Sequence, residues 1–515
     1  MNSKLNLTGA GVALGALFIG QFGLAQSEAG SERRVRSVIE EVVVTAQKKS
    51  ESVNEVPIAI SAISGGALKS LGVTDTRDLG VVIPGLTYAD SGYATPIYTL
   101  RGIGFNDATY NATSTVGIYI DEVNLPYSAM TKGANLDLER VEVLKGPQGT
   151  LYGRNTTGGL INYIANKAGD TFEAGITVGA SRFRTTEIEG FVSAPLSDSI
   201  GIRVAARNIH SSEGYQYSLT RPDDTLGKVD KQSARAALDW QVSDTLEFRF
   251  VIDGWRDNSE PQAPQPIGVI AQNGTAGEAA LSPFITSHPL VPEDSDDVRV
   301  ADWATDYDWQ LNQSFLQESI RGIWSPGDTL KFTAILSHGK VEDNGTLLPQ
   351  SGYSVLNAEQ QLDADIETTA AEFRAEGNFG ESLDWMVGGN LSEDKGFENH
   401  KLFIDTNSAL YPVAGTNPVS NFVGTFGEFD STQTAGFVNL NWYIVDSLKL
   451  DVGVRYTRDV RDFTGCSYEP LDAEGTGLTA TFNLIKLSQG GLPTMEKGDC
   501  VTLDGSGGND QFERT

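Results

Sequence analysis

The sequence predicts a small α+β domain followed by an antiparallel transmembrane β-barrel, and three observations predict it. From Thr171 onward, apolar and polar residues alternate. Leu448, Leu450, Val452, Val454 and Tyr456 point one way, while Lys449, Asp451, Gly453, Arg455 and Thr457 point the other. A strand with lipid on one side and water on the other reads this way, although a soluble sandwich alternates too. The connections then separate the two. Tight turns recur at 197–200, 243–246, 327–330, 380–383 and 445–448, and the intervening connections are long, near 212–230, 257–311, 341–366, 395–431 and 460–515. Short turns at one end and long loops at the other mark a membrane barrel, whereas repeated long loops count against a compact soluble domain. Finally, past the N-terminus no run of 18 apolar residues exists, so no helix is expected to span a membrane.

Eleven strands are expected, at 172–182, 185–195, 200–211, 231–242, 245–256, 312–323, 329–340, 367–378, 383–393, 432–443 and 447–459. Leu246, Phe248, Phe250 and Ile252 oppose Glu247, Arg249 and Asp253 on one of them. Ala234, Ala236, Leu238, Trp240 and Val242 oppose Ser233, Arg235, Ala237, Asp239 and Gln241 on another. The preceding domain, 53–167, reads as mixed α/β. Val56–Ile63 is a strand, Ala67–Gly72 a short helix with a glycine stop, and Asp75–Val82 a second helix ended before Pro84. Val116, Ile118 and Ile120 alternate on a further strand.

The 515 residues carry a formal charge of −30, which argues against nucleic acid as a partner, since nucleic acid attracts basic surfaces. Residues 1–25 have a signal-peptide layout. Lys4 supplies the positive end, Gly9–Gly20 the apolar core, and Gly23-Leu24-Ala25 a small-residue cleavage site before Gln26. Export permits disulfides. The two cysteines, Cys466 and Cys500, are too far apart for a Cys-x-x-Cys redox or metal pair and read as one disulfide, worth about 3–4 kcal/mol in the chain-entropy model. The acidic stretch Glu293–Asp297 with Asp302, Asp306 and Asp308 reads as a solvated loop. Its carboxylates suit calcium, but EF-hand spacing is absent. His210, His288, His338 and His400 lack metal-ligand spacing. No metal or cofactor site is expected.

The densest motif runs from Leu138 to Ile164 as strand, tight turn, short helix, Gly-Gly turn, strand. It includes Glu139-Arg140-Val141-Glu142-Val143, Gly146-Pro147, Gly153-Arg154 and Gly158-Gly159. Pro147 sets the turn, and Gly158-Gly159 permits close backbone approach. Two nucleotide readings fail. Gly149 and Gly153 are separated by three residues rather than the four of a P-loop, and Arg101-Gly102-Ile103-Gly104 has Asp107 where a dinucleotide fingerprint needs its third glycine.

Together with Ile83-Pro84-Gly85-Leu86, Arg101-Gly102-Ile103-Gly104 and Val116-Gly117-Ile118-Tyr119-Ile120-Asp121, this stretch closely resembles the plug-domain signature of TonB-dependent outer-membrane receptors. The resemblance implies a plug at 53–167 and the N-terminal half of a barrel at 171–515. The family's barrels have about 22 strands, and eleven are read here. With Gly505–Thr515 read as a polar loop without a closing strand, the chain is expected to be an N-terminal fragment or truncated product.

Within a periplasmic segment at 26–52, the run Glu40-Glu41-Val42-Val43-Val44-Thr45-Ala46 resembles a TonB box. Its β-branched residues favour an extended chain. An exposed strand of this kind can add to the sheet edge of TonB. By resemblance, the partners are TonB with its inner-membrane energising complex, outer-membrane lipid, and a small ligand such as an iron chelate. A ferric siderophore is the first expectation, with cobalamin, carbohydrate or another nutrient as alternatives. No covalent chemistry on the ligand is implied. A barrel enzyme would need a nucleophile–base pair. Ser337 and His338, the one adjacent pair, point to opposite faces of a strand. A passive porin is argued against by the plug.

Overall fold

The computed structural model describes residues 43–501 and 512–514, apart from 55, 92–93, 108, 267–296, 306, 351, 355–357, 405–421, 446, 472–478, 481–482, 484–485 and 488–494. The signal-like segment, Glu40, Glu41, Val42 and the acidic stretch at 293–296 lie outside the described residues, as do Asp306 and His288.

The described residues open with a two-strand ladder, β1 (Val43–Val44) on β2 (Glu51–Ser52). The plug follows: β3 (Ala59–Ser64), α1 (Gly65–Ser70), a 3-10 turn at Thr76–Asp78 running into α2 (Leu79–Val82), β4 (Leu86–Asp90), β5 (Pro96–Leu100), β6 (Ile103–Gly104), β7 (Val116–Ile120), β8 (Val123–Asn124), β9 (Leu138–Lys145), α3 (Gly149–Tyr152) and β10 (Gly159–Ala165). Its main sheet has the order β3-β9-β10-β7-β8, with β10 and β7 parallel and the other neighbours antiparallel. Ser64 caps α1 by accepting from the Ala67 amide, and Asp75 with Asp78 forms a capping box on the 3-10 turn. The expected second helix is therefore split into a 3-10 turn and one α turn. The β7 strand is buried on both faces. The plug sheet is sandwiched, so alternation along this strand does not translate into exposure.

One large antiparallel sheet forms the wall. Its strands are β11 (Glu173–Ser181), β12 (Thr185–Ser197), β13 (Ile200–Ser211), then β16 (Asp230–Ser243) after two short strands, β14 (Gln216–Ser218) and β15 (Thr225–Leu226). β17 (Leu246–Asp257) follows, and after a short β18 (Val300–Ala301) come β19 (Gln313–Gly327), β20 (Leu330–Leu348), β21 (Ala358–Phe379), β22 (Leu383–Ile404), β23 (Phe422–Val445), β24 (Leu448–Tyr468) and β25 (Phe512–Arg514). Each wall strand pairs with the next in sequence, and β14, β15 and β18 form a separate small sheet. All eleven expected strands are present and every tight turn falls where expected. Two expectations are corrected. Residues 341–348, 358–366, 395–404, 422–431 and 460–468, read as loop, continue β20 to β24. Residues 512–514, read as polar loop, pair with the upper end of β24.

The wall places apolar residues outward. Val204, Trp240, Ile252, Leu316, Leu336 and Leu391 are among those exposed. Near the short turns, aromatics pair across strands: Trp240 with Phe248, Trp324 with Phe332, and Phe332 with Phe373, at 6.2, 5.3 and 6.1 Å between ring centroids. Such a girdle belongs at a membrane interface. The inner face carries buried charge instead, including Arg203, Arg235, Arg249, Asp253, Arg374 and Asp394.

Candidate functional site

The plug motif builds two structures at once. Val141, Val143 and Ile161 face the main core with Ile118 and Tyr163. On the opposite face of β9 and β10, Leu144 and Leu160 form a socket with Tyr119, Leu151 and Tyr152 of the plug and Met386 and Phe437 of the wall. The socket is filled by Val44 and Ala46, which are 0% and 1% exposed. The expectation of an exposed strand here is therefore corrected: of the described residues of the box-like segment only Val43 is exposed, at 43%. The β-branched run forms a strand as expected, but its partner is β2 of the same chain.

Glu142 fastens the segment. Its Oε1 accepts the Thr45 amide at 2.9 Å, its Oε2 accepts the Thr45 hydroxyl at 3.1 Å, and Arg140 Nε donates to it at 2.8 Å. Tyr152 Oη donates to the Thr45 carbonyl at 3.2 Å. Asn162 lies beside Glu142 in register and is fully buried, and neither of its amide atoms has a hydrogen-bond partner. Just beyond the segment, Gln47 donates to Asp451 at 3.1 Å, and Lys48 reaches Glu372 of the wall at 2.6 Å. The Lys48 ammonium lies over the rings of Tyr152 and Phe437. Burial pushes its pKa below the ordinary lysine range, with Glu372 working against that shift.

The other motif residues divide between shaping the plug and gripping the wall. Gly159 has φ +138°, and a Cβ there would stand 2.2 Å from the Leu144 carbonyl oxygen, so the Gly-Gly turn is sterically required. Gly153, at φ +83°, packs on the guanidinium of Arg455. Arg101 and Gly102 form a left-handed turn between β5 and β6, which brings Ile103 against Gly158. Gly104 packs on Thr99, and Gly146 turns the chain at φ +103°. Pro147 and Glu139 are exposed; Glu139 pairs with Arg140. Arg154 pairs with Asp394 of β22, which also accepts from Thr368 at 2.6 Å. Asp121 accepts the Ala165 amide at 3.0 Å and faces Arg249 of β17 at 3.5 Å.

Further grips were not signalled by any motif. Glu122 binds Arg374 at 2.6 Å, and Asp137 takes a two-pronged bond from Arg203 at 2.6 and 2.7 Å. Burial pushes both carboxyls up, but the guanidiniums outweigh it and hold them below the usual carboxylate range. Asp75 meets Lys231 at 3.3 Å; against burial, Lys231 and the Arg77 amide and guanidinium hold it down at about 2. The available signal was a charged residue at an inward position of an alternating strand, as Arg203 is between Ile202 and Val204. On the long-loop side, a cavity of about 330 Å³ opens between plug and wall, lined by Tyr88, Asp90, Lys132, Tyr215, Lys228 and Gln350. Cys466 and Cys500 are bonded to each other beside the upper end of β24. No cluster of metal-ligating side chains occurs among the described residues.

Residues 52–160 match the family model of the TonB-dependent receptor plug domain. The pesticin receptor of Yersinia pestis is 23% identical over 459 residues, 87% of this chain and 59% of the relative. The crystal structure of the ferric yersiniabactin uptake receptor of Yersinia pestis superposes with a TM-score of 0.63 at 19% identity, covering 80% of this chain and 58% of that one. Residues 52–160 of the chain are a TonB-dependent receptor plug domain. The iron-regulated outer membrane virulence protein of Vibrio cholerae is 29% identical over 191 residues, 34% of this chain and 28% of the relative. The ferripyoverdine receptor of Pseudomonas aeruginosa, bound to ferripyoverdine, superposes with a TM-score of 0.60 at 15% identity, covering 84% of this chain and 56% of that one. The chain thus spans about 59% of the length of the pesticin receptor. The chain has a plug sheet and, after it, a large antiparallel wall, and its relatives are receptors rather than enzymes.

Proposed function

We propose that this chain supplies the plug and the N-terminal half of the wall of an energy-coupled outer-membrane importer of a ferric siderophore. The ligand binds on the long-loop side, above the plug. TonB takes residues 40–46 as an added strand, and force drawn through that strand rearranges the plug. The ligand is carried across unchanged.

The observation that carries this reading is the way Thr45 is held. The box-like segment docks against the plug through the acceptor oxygens of Glu142, the Tyr152 hydroxyl and two small apolar side chains, Val44 and Ala46. Such a dock is stable enough to hold the segment and weak enough to yield to a competing strand. The buried Asn162 amide beneath it has no hydrogen-bond partner, which is unfavourable in the docked state. The names of the relatives, which include ferric yersiniabactin and ferripyoverdine receptors, support iron chelates as the ligand class.

The test is radioiron uptake by iron-starved cells given ferric catecholate or ferric hydroxamate chelates. Val43→Pro removes an amide and disfavours strand addition. It should abolish uptake of whichever chelate is transported while leaving its binding to the cells unchanged. Uptake that persists in the variant at normal receptor levels, or survives collapse of the proton gradient, would overturn the proposal.

A further inference from the structure

The plug meets the wall in two different ways. Toward β19 to β23 the plug core runs on into the wall without a break. Tyr110, Tyr127 and Met130 of the plug share one apolar cluster with Phe315, Val341, Leu362, Ile366 and Phe429. Val341, Leu362 and Ile366 are fully buried. The polar bonds on this flank include the buried Tyr110–Asp343 bond at 2.7 Å and the ion pairs of Glu122 with Arg374 and of Arg154 with Asp394.

Toward β12 to β17, where Trp255 of β17 joins the apolar cluster, the contact is otherwise a chain of cavities separated by ion pairs. The 330 Å³ upper cavity and a neck of about 40 Å³ share Asp75, Lys132, Lys231 and Asp257. The neck and a third cavity, of about 170 Å³, share Thr74, Asn135 and Arg207. At the neck, Lys231 meets Asp75 at 3.3 Å and Lys132 meets Asp257 at 3.5 Å. Arg207 crosses the seam to the Thr74 carbonyl and to the Asn135 carbonyl at 3.3 Å, and is held on the wall side by Glu187 at 2.7 Å. Below the third cavity, which Asp137 lines, the bidentate Arg203–Asp137 pair closes the seam, with Asn166 donating to Asp137 at 2.9 Å.

We infer that the solute path opens along this seam, between plug residues 65–75 and 132–137 and wall strands β12 to β17, with the Arg203–Asp137 pair as its lower bolt. This rests on the importer reading above. Opening the other flank would expose aromatic and branched side chains to water, which is unfavourable in proportion to the area uncovered. Opening the seam separates charged groups that water can solvate once they are exposed. The lining alternates cations with carboxylates, which suits a hydrophilic chelate with hydrogen-bonding groups and no net demand for one sign of charge.

The test is thiol accessibility in cells expressing the receptor, with a bulky polar maleimide as probe. Both native cysteines are bonded to each other and supply no background thiol. Ser233→Cys and Asn135→Cys report on the seam, Val341→Cys and Ala364→Cys on the apolar flank. All four are close to size-conserving, and two sites per flank guard against one misfolding. During uptake of the ferric chelate that supports growth, labelling at the seam should rise several-fold and labelling at the apolar flank should stay at its resting level. The reverse pattern, or continuing uptake with no change at either seam site, would overturn the inference.

A second arm needs no TonB. Asp137→Asn loosens the bolt and should sensitise cells several-fold to a hydrophilic antibiotic too large for porins, whereas Val341→Ala should not. Equal sensitivity in the two variants would overturn the path. Energy-independent uptake alongside the expected antibiotic difference would overturn the importer reading and leave the path standing.

Discussion

Plug and wall are both sheets, yet they face opposite solvents. The plug puts its apolar side chains inward, around Tyr98, Ile118, Val143 and Ile161, and meets the wall largely through charge. The wall puts its apolar side chains outward and its arginines and carboxylates inward. The plug is thus a folded unit with its own core, held inside a charged liner by bonds that can be exchanged. The apolar exceptions are the flank toward β19 to β23 and the socket that holds Val44 and Ala46. This division suits the plug rearrangement proposed above.

Four substitutions test it, from the largest expected effect to the smallest. Val143→Asp puts an unpaired carboxylate into the plug core and should cost more than about 4 kcal/mol. Thermal unfolding of the purified receptor should then lose the plug transition while the wall persists; an unchanged plug transition would deny the plug a core of its own. Arg374→Ala removes the cation that Glu122 and Glu372 share, leaving only Lys48 on Glu372 and the longer Arg321 contact, at 3.6 Å, on Glu122. A loss of about 3–5 kcal/mol is expected in the same measurement, as for a broken buried pair. A loss below about 1 kcal/mol would mean the liner is solvated like a surface.

Glu142→Gln keeps the shape but weakens the charge-assisted bonds to Thr45. It should free the box-like segment by about 1–2 kcal/mol, seen as faster amide exchange at Thr45. Unaltered exchange would remove Glu142 from the dock.

The smallest effect concerns Asp75, whose carboxyl is held down at about 2, against an ordinary value near 4. A group lowered on folding stabilises above its unfolded value and loses that contribution as pH falls toward its folded value. The grip of plug on wall should weaken as pH drops from about 4 toward 2. Asp75→Asn should flatten that slope and cost on the order of 1 kcal/mol near neutrality. A pH profile identical to wild type would assign the acid sensitivity to other carboxylates.

How much of this was legible in the sequence follows from which forces leave a periodic trace. Lipid enforces alternation, so all eleven wall strands could be located from residues such as Leu448 to Tyr456. Above the bilayer nothing enforces it. A membrane strand needs only about 9–11 residues, whereas β21, β22 and β23 have 22, 22 and 24. Their upper parts, such as Glu393-Asp394-Lys395, are polar on both faces and read as loop. The plug motif was legible because steric demands fix residue type, as at Gly159. The dock was not. Val43 to Ala46 have the composition of a strand, but nothing in that composition says whether the strand is free or already paired. The Glu142–Thr45 bond joins residues 97 positions apart, and the Lys48–Glu372 pair joins residues 324 apart. Neither separation has a local signature.

The most direct test of the whole account is the affinity of the purified periplasmic domain of TonB for the receptor and two variants. If residues 40–46 are the strand that TonB takes, and Glu142 is what withholds it, Val43→Pro should lose binding. Glu142→Gln should tighten binding by about tenfold, the equivalent of roughly 1.4 kcal/mol of released docking free energy. Affinities unchanged in both variants would contradict the account.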